Sequence, residues 1–249
     1  MSAAKSQIDC KKEIELLRSS PILLIYLSEM VQLLDLACLE LDAARGLVAA
    51  NPPKGEILPV ALPEFHYRVQ AALMALGSFI HFIKAPDPAT RKAKTRDFMR
   101  AGRAKLLMAC MHGADISEIE KVQVRHRLEH VDDYLDEVAL RLPGSGDTSE
   151  RTWIAQNLIL KDPDHFLRLQ PSFKGFVGLR VYYSSIDTYH QLGSSIHLGR
   201  LRVQAGTART LLQRSFDRLA PQAQVASEAI DPRRRIAAML LVDLKPETS

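Results

Sequence analysis

Four side chains within six residues have types that perform chemistry: Arg125, His126, Glu129 and His130, in VRHRLEHVDDYLDEV. Histidine titrates near neutrality and moves protons. Arginine stays charged and grips phosphate with a planar fork of donors. Cleavage of RNA by its own 2′-hydroxyl needs a proton taken from that oxygen and negative charge stabilised on phosphorus. The spacing from Arg125 to His130 is R-x4-H, and no other histidine of the chain completes an R-x4-6-H pattern. The same residues also read H-x-x-E-H from His126 to His130. A helix would set those two histidines on one face, with Glu129 positioned to polarise a metal-bound water. A third reading is a charged helix surface without chemistry, solubilised by neighbours such as Arg125 and Glu129.

The pattern R-[N/D/H]-x3-H resembles the R-x4-6-H motif of the HEPN superfamily. That resemblance rests on six residues, and over 1–142 on helical architecture alone. It implies a helical bundle, often dimeric, that cleaves RNA without metal, in toxin or defence systems kept in check by a cognate inhibitor. It assigns the acid/base role to His130, the phosphate role to Arg125 and an auxiliary role to His126, where the family often has asparagine. H-x-x-E-H is similar to the form carried by inverted zinc peptidases. Those have a mixed α/β fold and need a third ligand, for which Asp187 and Glu228 offer no distinctive context. No metal and no cofactor is expected.

Periodicity places these residues. Leu23, Leu27, Val31, Leu34, Cys38 and Leu41 recur at three- and four-residue steps and predict a helix over 21–49, ended by Asn51-Pro52-Pro53. Pro63 opens a second helix running to Lys84, with Pro86 beyond its end. A third is expected over 88–111. Ser117 with Glu120, and Asp115 with Glu118, are capping-box patterns that start a fourth, over 117–142. Its apolar stripe runs through Val124, Leu128, Val131, Leu135 and Leu142, and Pro143-Gly144 ends it. At about 100° per residue, His126 points about 160° from that stripe, His130 about 120° and Arg125 about 100°. They face solvent or a partner, and Arg125 and His130 are themselves about 140° apart. A second copy of the helix would complete a pocket, so a homodimer through 117–142 is expected.

The third helix begins in TRKAKTRDFMRAGRAK, with seven basic residues and one acid. Arg96, Arg100 and Arg103 within it are the candidate RNA-binding residues. Such a run is more often a solvated face, and becomes a phosphate track only if it lines a cleft. After residue 146 the texture changes to aromatic, β-branched and glycine-rich, predicting two or three strands and then a helix over 201–219. Tyr182, Tyr183 and Tyr189 are expected to pack a sheet face. The fold class is therefore mainly α: a helical bundle over 1–146, then over 147–249 a small β element, a final helix and a tail.

Composition limits the alternatives. Of 249 residues, 47% are hydrophobic and 25% charged, which is ordinary for a globular chain. A net charge of +4 permits an anionic partner without demanding one. Cys10, Cys38 and Cys110 are scattered and fit a reducing, cytoplasmic setting. The most apolar segment carries Glu29, Asp35, Glu40 and Asp42, costing about 3 kcal/mol each in a bilayer, so no membrane span is expected. The leading function is a metal-independent endoribonuclease with RNA as partner. A non-catalytic helical interaction protein is the alternative, and a zinc hydrolase follows.

Overall fold

The computed structural model describes residues 11–18, 22–51, 62–85, 95–121, 130–141, 152–164 and 175–220. The fold is mainly α. Its helices are α1 (Lys11–Arg18), α2 (Ile22–Ala50), α3 (Pro63–Ile83), α4 (Thr95–Cys110), α5 (Val131–Arg141) and α6 (Leu198–Leu219). Between α5 and α6 lies one sheet of β1 (Thr152–Leu160), β2 (Gly175–Tyr183), β3 (Thr188–Gln191) and β4 (Ser194–His197), in the order β1-β2-β3-β4. Contacts gather into two compact units interleaved in sequence. One takes its residues from 1–35, 78–114 and 207–249, the other from 36–77 and 115–206.

In the first unit, α1 lies against α4 at Gly102. A Cβ on Gly102 would stand 2.9 Å from the Glu13 Cβ, so this position is kept small for close approach of the two helices. Leu27, Met30 and Leu34 of α2 are fully buried, and Arg209 of α6 grips Asp35 through two hydrogen bonds of 2.8 and 3.3 Å.

In the second unit, the later part of α2 buries Leu41 and presents two more carboxylates to arginines. Arg68 of α3 reaches Glu40 at 3.1 Å, and Arg202 of α6 forms a fork with Asp42 at 2.8 and 2.7 Å. By length and composition α2 could cross a membrane, with a mean hydropathy of 1.9 over its most apolar window. Leu23, Leu24, Leu27, Leu34 and Leu41 of this helix are buried within the protein, each full burial contributing about 1.5–3 kcal/mol, while Leu36 and Leu39 are exposed.

The sheet has four strands where two or three were expected. β2, β3 and β4 form an antiparallel meander, but β1 pairs β2 in parallel. Ile159 and Leu160, on opposite faces of β1, are both buried, as are Tyr182 and Tyr183 of β2. A strand buried on both faces reads as an apolar run rather than an alternation, as Leu158, Ile159 and Leu160 do at the end of β1. Tyr182 stacks on Phe65 of α3, with ring centroids 4.8 Å apart, as sheet-packing tyrosines do.

The expected helix over 117–142 is corrected at its start. Residues 117–120 form turns, α5 begins at Val131, and 122–129 lie outside the described residues. The capping-box residues serve tertiary ends instead. Ser117 N–H donates to Asp115 at 2.9 Å, closing a local turn. The Gln204 side-chain oxygen of α6 accepts from the Glu118 and Ile119 N–H groups at 2.8 and 3.3 Å, while its amide donates to Asp115 and Ser117. Glu118, 3% exposed, accepts the His197 N–H at 2.7 Å. His197 itself caps α6, its Nδ1 accepting from Arg200 N–H at 3.3 Å.

Gln204→Ala would leave the buried N–H groups of Glu118 and Ile119 unpaired. We expect a loss of about 2–3 kcal/mol in urea denaturation. Gln213→Ala, on the exposed part of the same helix, should stay within about 0.5 kcal/mol.

Candidate functional site

Within the first unit α4 turns a basic face into a cleft of about 570 Å³. Arg96, Arg100 and Arg103 are separated by four and three residues, so one helical face carries all three. Lys84 and His81, from the end of α3, add to the same wall. Leu17, Tyr26, Phe82 and Met99 supply the apolar part, and none of the described residues lining the cleft is acidic. A concave, positively charged surface with low-dielectric walls concentrates anions.

The three arginines are held differently. Arg103 donates to the His81 carbonyl at 3.1 Å and the Phe82 carbonyl at 3.3 Å, satisfying two acceptors that the last turn of α3 leaves open. Its guanidinium lies 5.4 Å from the Tyr26 ring centroid and 5.7 Å from that of Phe82, and those rings meet edge to face at 6.0 Å. Arg103 is thus a fixed cation on an aromatic bed. Among the described residues Arg100 has only a long contact with Asp97, at 3.9 Å, of the kind worth little in water. Arg96 is exposed and forms no ion pair among the described residues. Arg96 and Arg100 can turn to an incoming phosphate, whereas Arg103 already has its place.

The motif residues are described only in part. His130 immediately precedes α5 in the second unit, is about half exposed, and lies with Nδ1 3.4 Å from an Asp133 carboxylate oxygen. Arg125, His126 and Glu129 lie outside the described residues, as does Glu228. Asp187, considered as a distant metal ligand, is occupied otherwise. It accepts the Tyr182 hydroxyl at 2.6 Å, sits 3.7 Å from Arg45 and lies 4.0 Å from His197 Nδ1. Burial, followed by this carboxylate, raises the Tyr182 hydroxyl well above its ordinary value, so it stays a donor. Among the described residues no cluster of three metal-ligating side chains occurs.

His66, on α3 in the second unit, is the most displaced histidine among the described residues. It is 2% exposed, and burial pushes it down to about 4, with the backbone of Asn157 opposing that shift and the charge of Arg180 adding to it. It carries no signal in sequence, being a lone histidine among apolar neighbours. His190 is also lowered by burial. Comparison of the chain with protein-family models, curated proteins and solved structures finds no match.

A histidine lowered in the folded state binds fewer protons there than when unfolded, so stability falls as pH drops from about 6.5 towards 4. We expect this window to lower stability by about 2–3 kcal/mol through His66. His66→Leu should flatten most of the slope between pH 6.5 and 4 in denaturation series, leaving the smaller part from His190. An unchanged slope would place the burden elsewhere.

Proposed function

We propose that the protein binds single-stranded RNA through the α4 cleft. The observation that carries this reading is the convergence of Arg96, Arg100 and Arg103 with Lys84 on a concave wall with no acidic residue among those described. Non-sequence-specific recognition of RNA needs cations along a groove more than base-edge contacts. Arg103, held against Tyr26 and Phe82, supplies a fixed anchor, and Arg96 and Arg100 supply the adjustable phosphate contacts.

Cleavage of the bound RNA is the second part of the proposal. It rests on the R-x4-H pattern and on the exposure of His130 beside Asp133, which leaves the imidazole accessible for proton transfer. The HEPN resemblance supplies Arg125 as the phosphate contact and a second copy of the chain as the means of completing the site.

Two measurements separate binding from cleavage. In fluorescence anisotropy with a labelled single-stranded RNA at low salt, Arg96→Glu/Arg100→Glu should weaken binding by about tenfold or more. Equal binding by this variant would refute the cleft. In a cleavage assay, wild type should yield 2′,3′-cyclic phosphate ends in the presence of EDTA and spare DNA, while His130→Ala should be inactive. Tight binding without cleavage would leave a non-catalytic RNA-binding protein.

A further inference from the structure

β1 and β2 share an irregularity at one register. Asn157 has φ 55° and Arg180 φ 61°, both in the left-handed region that non-glycine residues rarely adopt. Gln156 pairs with Leu179 and Leu158 with Val181, so these two residues sit opposite each other in the gap of the ladder. Two strained residues facing each other across a parallel pair require something that compensates them.

The same place holds a deficit of hydrogen bonds. Four buried side-chain polar atoms lack a partner among the described residues, Asn157 Oδ1, Arg180 Nε, the Tyr189 hydroxyl and Gln191 Nε2, and the two His66 ring nitrogens have at most a poorly aligned contact with the Asn157 backbone. All belong to the second unit. Gln191 is joined to this register, its side-chain oxygen accepting the Arg180 N–H at 2.9 Å. The His66 and Tyr189 rings lie 5.9 Å apart, and the charge of Arg180 acts on both. Buried polar groups elsewhere in this unit, such as Glu118 and Gln204, are partnered. Unpaired groups are costly and scarce in folded proteins, so their concentration at one point needs a cause.

The kind of partner follows from the donors. Arg180 Nε–H, the Gln191 amide, the Tyr189 hydroxyl and one His66 N–H can all donate, against Asn157 Oδ1 and the second His66 nitrogen as acceptors. Donors therefore exceed acceptors. One of them is the Nε–H of the half-buried Arg180, whose guanidinium carries a permanent positive charge. A water would meet one or two of these donors, whereas an oxygen anion would accept from several at once and complement that charge. We propose that His66, Asn157, Arg180, Tyr189 and Gln191 form a binding site for a small oxygen anion, a carboxylate or an inorganic phosphate. It is independent of the α4 cleft, both in residues and in unit.

The test uses the full chain carrying Arg96→Ala/Arg100→Ala, so that the α4 cleft contributes nothing. After exhaustive dialysis into chloride, the melting temperature is followed with sodium formate and, separately, sodium phosphate at constant ionic strength. A saturable rise of several degrees with at least one anion over chloride is expected. Which anion acts distinguishes a carboxylate ligand from a phosphate. Arg180→Asn keeps a side chain that tolerates the left-handed backbone and removes the charge, so it should abolish the rise. Tyr189→Phe removes a hydroxyl without a partner, so it should fold as well as its parent and show less than half the rise. If Arg180→Asn does not fold, Tyr189→Phe decides alone. No rise with either anion, or an equal rise in Tyr189→Phe, overturns the proposal.

Discussion

One constraint organises this protein: a 29-residue, largely apolar helix, α2, carries carboxylates that must be met by arginines. Asp35 is held by Arg209, Glu40 by Arg68 and Asp42 by Arg202. These pairs are partly exposed and each contributes at most about 1 kcal/mol, so they are not the main source of stability. That comes from Leu27, Leu34, Leu41 and their neighbours, buried at helical spacing. The pairs fix register instead. A leucine-rich helix could slide or rotate against its partners at modest cost, but not with an arginine fork closed on each acid.

α2 and α3 were legible because periodicity and breakers agreed. Both, and α6 near the other end of the chain, lie within a few residues of the spans expected for them, and Pro63 opens α3 as its fixed φ favours. The failure at residue 117 shows where local reading ends. Asp115, Ser117 and Glu118 have the composition of a helix start, but Gln204 and His197, far along the chain, take their hydrogen bonds. β1 was hidden for two reasons. Ile159 and Leu160 at its end are buried on opposite faces and so do not alternate with polar residues, and Asn157 in its middle adopts a backbone that no propensity rule assigns to a strand.

The basic face of α4 was visible as a four-then-three spacing of arginines. What sequence could not supply was the cleft around it, made by the α3 carbonyls that lock Arg103 and by Tyr26 beneath its guanidinium. The cluster around His66 had no sequence signal at all. Its members come from α3, β1, β2 and β3, and only the fold brings them together. Local patterns reveal a site when one element carries it, and fail when several elements each give one residue.

The central claim is that Arg96 and Arg100 meet phosphates of a bound RNA strand. The salt dependence of binding measures this most directly, because each neutralised phosphate releases condensed counterions. For a short single-stranded RNA, the slope of log K against log salt should be shallower by about 1.4 in Arg96→Ala/Arg100→Ala than in the wild type, about 0.7 for each lost contact. An identical slope in the two proteins would mean that these arginines touch no phosphate and would contradict the claim.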